Sequence, residues 1–294
     1  MKLSDDHLTH RPTGSTAGSV GDDPFNNVQI GFPTLPKCGS KEYFDLISQW
    51  LLDCDANHEP TCRRKNSLPT NTMSLPTRLV DVGQEDGDST KVYLRVSKLL
   101  RESAQSHDLR YIALSHPWGD GAQHNHFCTT RGNFVSRLHD GILVSDMPKT
   151  FRDAVLVTRA LGIRYIWIDS LCIIQGLDGD FDREAKFMET VFSTAYCVIA
   201  ASRAWGTSSG FLSEAPRKRD FIRLNQQVPG GDSVYICQDI DDFQSHIIDG
   251  HLNRRGWVLQ ERVLARRTIY FAEAQTYFEC GTGVRCETLT KMTK

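Results

Sequence analysis

The chain has 294 residues, 39% of them hydrophobic and 24% charged, with a formal net charge of −2. A chain of that length and balance can bury a substantial core, and the near-neutral charge excludes a general pull toward nucleic acid or anionic membrane. No apolar run approaches a membrane span and Met-Lys-Leu-Ser-Asp-Asp-His lacks the apolar core of a signal peptide. The prediction is therefore a cytoplasmic chain whose nine cysteines are reduced thiols.

Residues 1–38 are rich in Thr, Gly, Ser, Asp, Asn and Pro and read as a flexible leader. Lys41 to Cys54 has helical spacing, with Tyr43, Phe44, Ile47, Trp50 and Leu51 on one side. It runs into Cys54-Asp-Ala-Asn-His58-Glu-Pro60-Thr-Cys62, whose residue types can ligate metal. Three ligands do not close a structural zinc site, and Pro60 interrupts the helix that this spacing needs. Cys280 and Cys286 are distant in sequence, so no metal is expected. Thr77–Val82 and Lys91–Ser97 read as a hairpin across a Gly-Gln-Glu-Asp-Gly-Asp turn.

Arg110-Tyr-Ile-Ala-Leu-Ser115 is a short apolar run that predicts a buried strand, followed by the loop His116-Pro-Trp118-Gly119. That loop is either a ligand loop, with Gly119 allowing close backbone approach, or a tight turn pinned by Trp118. Phe151, Ala154, Val155, Thr158 and Leu161 recur at helical steps, with Pro148 just inside the start and Gly162 just past the end. Arg164-Tyr-Ile-Trp-Ile-Asp169 is a second buried run ending on a carboxylate. Phe181, Ala185, Met188, Phe192 and Ala195 then form a further helical pattern opened by Asp180. Tyr196–Ala201 supplies a third strand. Cys172, Cys197 and Cys237 sit in apolar runs as small hydrophobes.

Strands are also predicted at Phe221–Leu224, Val234–Cys237, Thr268–Phe271 and Thr276–Cys280, with a helix from Asn253 to Ala265. Helix, buried strand, helix is the repeating phrase of an α/β fold with a mostly parallel sheet. Ligands of such sheets bind at the carboxyl ends of the strands, where Ser115 and Asp169 stand. Asp169 is therefore a ligand-facing carboxylate or a cap on the turn that follows. Trp257 and Glu261, four apart on a helix, share a face and offer an aromatic plane beside a carboxylate. The plainer alternative is a core tryptophan and a surface partner for Arg254, Arg262 or Arg266. His124 and His126 flank Asn125 in a loop. Walker A, Gly-x-Gly-x-x-Gly, His-Glu-x-x-His and Gly-x-Ser-x-Gly patterns are absent from the sequence.

Together, Tyr111-Ile-Ala-Leu-Ser-x-x-Trp-Gly119, Met147-Pro-Lys-Thr-Phe-Arg-Asp-Ala154 and Leu161-Gly-Ile-Arg-Tyr-Ile-Trp-Ile-Asp-Ser-Leu-Cys-Ile-Ile-Gln175 resemble the HET (heterokaryon incompatibility) domain of filamentous fungi. So do Glu184…Met188…Val191-Phe…Ala195-Tyr-Cys-Val-Ile-Ala-Ala201 and Arg255-Gly-Trp-Val-Leu-Gln-Glu-Arg262. The resemblance runs from about residue 41 to 285, with His116 where the family usually has Tyr and Phe181 where it usually has Trp. It implies residues 39–294 as a HET domain, with an accessory segment at 39–105 and a TIR-like (flavodoxin-like) core at 106–285.

By the same resemblance the chain is an effector of regulated cell death. Enzymatic TIR domains carry a Trp-x-x-x-Glu helix, the spacing of Trp257 and Glu261. This implies hydrolysis of the nicotinamide–ribose bond of NAD-type nucleotides, with Glu261 catalytic. Ser115, His116, Trp118, Gly119, Asp169 and Trp257 would then line the substrate pocket. No cofactor is implied, NAD being a substrate, and the expected partner is a second copy of the chain in a homotypic oligomer. Two alternatives are a non-enzymatic TIR-like assembly module and a zinc-dependent module built on the Cys/His residues.

Overall fold

Short runs of apolar, aromatic and β-branched residues become strands buried on both faces once helices cover them. In the computed structural model this holds for the run at 111–115, of which every residue is buried. The structure describes residues 33–58, 62, 75–83, 90–103, 108–119, 127–215, 217, 219–224, 234–289 and 291–292. The predicted leader at 1–38 lies mostly outside the described residues, as do Pro60, His124 and His126. Residues 31–294 form one unit.

The chain opens with α1 (Lys41–Asn57), β1 (Arg78–Asp81), β2 (Lys91–Val96), α2 (Ser97–Ser103) and β3 (Tyr111–Ser115). There follow β4 (Thr129–Thr130), α3 (Arg131–His139), β5 (Ile142–Leu143), α4 (Lys149–Ala160), β6 (Tyr165–Trp167), α5 (Asp169–Cys172) and β7 (Ile174–Gln175). Then come α6 (Phe181–Glu184), α7 (Met188–Thr194), β8 (Cys197–Ala200), β9 (Phe221–Leu224) and β10 (Val234–Cys237). The last elements are α8 (Gly256–Leu264), β11 (Arg267–Phe271), β12 (Thr276–Cys280), β13 (Gly283–Cys286) and β14 (Lys291–Met292).

Ten strands form one sheet in the order β14-β13-β12-β11-β8-β3-β6-β1-β2-β5. Its centre, β11-β8-β3-β6, is parallel. Register places Ala113 opposite Trp167 and Ser115 opposite Ala200. The predicted hairpin β1–β2 adds antiparallel strands beside β6, and β12, β13 and β14 extend the other edge beyond β11, each antiparallel to its neighbour. The fold is mixed α/β with a large central sheet flanked by helices, as the sequence predicts. The pair β9–β10 stands apart as a two-stranded ribbon whose β9 residues are all exposed. Cys237, on that ribbon, is therefore half-buried rather than a core thiol, and Cys172 is buried in α5 rather than in a strand.

Helix α4 buries Phe151, Ala154, Val155 and Thr158 along the predicted stripe. Pro148 is its N-cap, and Gly162, at φ +65°, makes the turn into β6. Two polar side chains on the same helix hold the loop after β8. Asp153 accepts the backbone N–H groups of Phe211 (2.7 Å) and Leu212 (3.0 Å), and Thr150 Oγ1 donates to Gly206 O (2.8 Å).

The helix predicted to run from Asp180 to Ala195 is instead broken into α6, a 3₁₀ turn at Ala185–Phe187, and α7. A buried ion cluster faces inward at the start of this segment, while Phe192 and Ala195 keep the predicted apolar stripe further on. Arg78 Nη2 meets Asp180 Oδ2 at 2.6 Å and Glu184 Oε1 at 3.7 Å, and Arg78 Nε donates to Cys172 O at 2.6 Å. Asp180 Oδ1 also accepts Ile174 N–H at 2.8 Å. Phe181, which the predicted stripe would bury, is about half exposed (47%). The cluster ties β1 to α5 and α6 and so fixes the segment that follows β6.

Removing the buried cation leaves Asp180 with only the more exposed Arg183, at 2.8 Å, as an ionic partner among the described residues. Arg78→Met is expected to cost about 3 kcal/mol of unfolding free energy in urea titrations. Adding Asp180→Asn to Arg78→Met should recover part of that loss, because a neutral amide needs no counter-charge. If the double variant is no more stable than the single one, the charge balance is not what holds this turn.

Candidate functional site

The carboxyl ends of β3 and β6 lie side by side, and the chain leaves each in a tight turn. Ser115 closes β3 and is 4% exposed. Asp169 stands two residues past the end of β6 and opens α5, with Oδ1 accepting the Ser170 N–H at 2.7 Å. Its other oxygen accepts the Trp118 indole N–H at 2.5 Å. Asp169 is thus both a cap on its own turn and the anchor of the loop after β3. Of the two readings left open by the sequence, the cap is the one seen.

His116 is buried, with Nδ1 3.9 Å from Asp169 Oδ1 and its ring edge-on to Phe151 at 5.2 Å between centroids. Gly119 adopts φ +75°, a conformation that a side chain strains. A Cβ there would come within 3.0 Å of Gly206 Cα. The close approach expected of Gly119 is therefore made by the chain's own β8 loop. Next to Gly206, the exposed Trp205 stacks on His251 with centroids 4.2 Å apart and rings 7° from parallel.

Helix α8 crosses over this edge before the chain enters β11. Glu261 points inward from it, and Oε2 is buried without a hydrogen-bond partner among the described residues. The Ser115 hydroxyl sits beside this carboxyl, close enough to favour its charged form, yet Oγ also lacks a hydrogen-bond partner of good geometry. Ser115, Glu261, Asn253, Val258 and Tyr270 surround a cavity with room for about one water molecule. Trp257 lies one turn earlier on α8, and its side chain lies outside the described ones.

Burial pushes the Glu261 carboxyl up to about 7, with the nearby negative charge of Asp169 adding to the shift. Ser115 and Arg255 act in the opposite direction and do not cancel it. Two of the three arginines proposed as plain surface partners are engaged elsewhere. Arg262 pairs with Glu279 at 3.2 Å, and Arg266 donates to Ser193 O at 2.9 Å. Glu261 is thus a buried carboxyl facing the strand ends, where the sequence alone left it open as a surface charge.

Sequence reasoning missed Arg255. Its Nη1 donates to the His116 carbonyl at 2.5 Å across 139 residues, tying the start of α8 to the loop after β3. No local spacing distinguishes Arg255 from Arg254, because its partner is a backbone oxygen in a loop distant in sequence. The structure therefore brings together Ser115, His116, Trp118, Asp169, Arg255 and Glu261, and leaves Gly119 on the rim as a packing residue. Among the described residues, no helix is long and apolar enough to cross a membrane.

A family model described as Heterokaryon incompatibility protein (HET) matches residues 111–261, just over half of the chain. The matched span begins with the first residue of β3 and ends on Glu261. No curated protein and no solved structure matches the chain.

The raised carboxyl has a consequence for stability. A folded-state value near 7, above the ordinary 4.5, means that the folded protein binds this proton more tightly than the unfolded chain does. The stabilising contribution is complete below pH 4.5 and is lost as pH rises through about 7. Glu261→Gln removes the buried charge. Relative to wild type, the variant should gain stability between those pH values and hold a plateau above them, worth about 3 kcal/mol at most. Urea unfolding at pH 5 and pH 8 measures this, and a pH-independent difference would remove burial as the cause of the shift.

Proposed function

Because the chain belongs to the HET family, which ties it to heterokaryon incompatibility and the associated cell death, we propose that it acts there by hydrolysing the nicotinamide–ribose bond of an NAD-type nucleotide. The single observation that carries this reading is Glu261: a buried carboxyl at the carboxyl edge of a parallel sheet, with an oxygen that has no hydrogen-bond partner among the described residues. Such an edge is where ligands of open α/β sheets bind.

The chemistry asks for little else. The nicotinamide ring leaves as a neutral base, so the demanding species is the cationic ribose left behind. A carboxylate close to that sugar opposes its charge directly. Water then adds to the anomeric carbon and loses a proton, giving ADP-ribose and free nicotinamide. The positively charged nicotinamide ring also favours ionisation of a carboxyl whose own value is near 7. Ser115 is a hydroxyl within reach of the same region. Asp169, held by Trp118, orients the loop and raises the Glu261 value through its charge. The stacking role of Trp257 rests on its spacing from Glu261.

The cavity beside Glu261 admits about one water, so a nucleotide enters only when α8 or the loop after β3 shifts. The same observation favours the second reading, an assembly module that performs no chemistry.

The test is nicotinamide release from NAD and NADP by purified protein at high concentration, comparing wild type with Glu261→Gln at matched assembly state. The enzymatic reading expects a loss of at least about a hundredfold in turnover with nucleotide binding largely retained. Equal rates would remove Glu261 from the chemistry. Absence of release from both proteins, with cell toxicity preserved in the variant, would support the assembly module.

For the active enzyme, kcat/KM should fall about tenfold per pH unit below the Glu261 value, since the charged form is required. Asp169→Asn keeps an acceptor for Trp118 but removes a charge that raises that value, so its acidic limb should move to lower pH. A limb that stays in place would show that another group titrates.

A further inference from the structure

The sequence expectation of no metal rested on a count of three ligands, and the fold changes that count. Cys54, on the last turns of α1, His58, its C-cap, and Cys62, just beyond, are joined by Cys280 at the end of β12. The one ligand atom that each offers lies within 4.8 Å of all the others. Cys62 N–H bonds to His58 O at 2.9 Å, continuing the spacing of His58 N–H to Cys54 O at 3.3 Å.

We propose that Cys54, His58, Cys62 and Cys280 form a structural zinc site that fastens the N-terminal helix to the antiparallel wing of the sheet. Zinc prefers four tetrahedral ligands drawn from thiolate and imidazole, and a set of three Cys and one His, with no position left open, is the pattern of a structural rather than a catalytic site. Zn–S bonds of about 2.3 Å set neighbouring sulfurs about 3.8 Å apart in a tetrahedron. The Cys280 Sγ to His58 Nδ1 distance of 3.4 Å fits that scale. An ordinary apolar cluster of buried cysteines would need neither convergent sulfurs nor an imidazole nitrogen among them.

The surroundings suit a metal centre. Thr282 Oγ1 lies 3.1 Å from His58 Nδ1 and 3.3 Å from Nε2, so its hydroxyl is a partner for whichever ring nitrogen does not face the metal. Three thiolates and one imidazole around Zn²⁺ leave a net charge of −1. Arg285 Nη2 stands 3.4 Å from His58 Nε2 and is itself held by Asp53 at 2.5 Å, so a cation lies next to that charge. The three thiol side chains are almost wholly shielded from solvent, with Cys54 2%, Cys62 1% and Cys280 3% exposed. Trp50 stacked on Phe278, and Tyr43 bonded to Thr276 at 2.6 Å, already align α1 along β12. Closing a loop of this length adds a constraint that local contacts cannot supply.

The proposal is independent of any reaction at Glu261. It is tested on the whole chain, expressed with zinc and purified under reducing conditions, by elemental mass spectrometry and by exchange with Co²⁺. The expected result is one zinc per chain, with the cobalt form showing strong tetrahedral d–d bands and thiolate charge-transfer absorption. Cys280→Ser should bind cobalt with weaker charge transfer and lose most of its zinc, while Cys286→Ser keeps both. A membrane-permeant zinc chelator should lower the melting temperature of wild type and leave that of Cys280→Ser unmoved, a readout that stands even if the variant is marginally folded. Wild-type protein free of zinc and giving no thiolate charge transfer with cobalt would overturn the site. So would zinc retained in full by a Cys54→Ser/Cys280→Ser double variant.

Discussion

Parallel pairing of β3 with β6 on one side and β8 on the other is the constraint on which the site depends. It sets Ser115 against Ala200 and Ala113 against Trp167, so that strands far apart in sequence stop at one edge. Parallel strands need covering on both faces, and the fully buried patterns of β3, β6, β8 and β11 show that the helices provide it. Once the strands end together, the turns leaving them must share a small volume. Trp118, Asp169 and His116 occupy it, and Gly119 and Gly206 let two backbones pass within van der Waals reach.

Within that volume the electrostatics are deliberately unbalanced in one direction. Glu261 is buried next to another carboxylate, and neither Arg255 nor Ser115 restores its ordinary affinity for protons. Other buried carboxylates among the described residues are treated differently. Asp180 and Glu184 face Arg78, Asp153 receives two backbone N–H groups, and Glu279 receives Arg262 and the Tyr270 hydroxyl. A buried carboxyl left without such partners costs stability unless it binds something else, and perturbed groups of this kind gather at functional sites.

The two wings of the sheet serve separate ends. On the β6 side, β1 brings Arg78 into the ion cluster that shapes the chain after Asp169. On the β11 side, β12 carries Cys280 to the end of α1, where three cysteines and a histidine converge. The parallel centre thus meets a polar cluster at one edge and a thiol–imidazole cluster at the other.

Much of this could be read from the sequence. The buried strands, the helical stripe of α4, the β1–β2 hairpin and the closing strands follow from side-chain period and from Pro and Gly punctuation, which act over a few residues. Ser115, Asp169 and Glu261 were legible as candidates for the same reason: strand ends and helical spacing are local facts. What only the tertiary structure decided was which distant groups meet. Arg255 reaches the His116 carbonyl, Trp118 is spent on Asp169 rather than left free, and Arg78 breaks the helix expected from Asp180 to Ala195. Cys280 supplies a fourth ligand 218 residues after Cys62. Each of these depends on a long-range approach set by sheet order. Local periodicity carries no information about that order, because it reports only which face of an element is apolar and not which other element covers it.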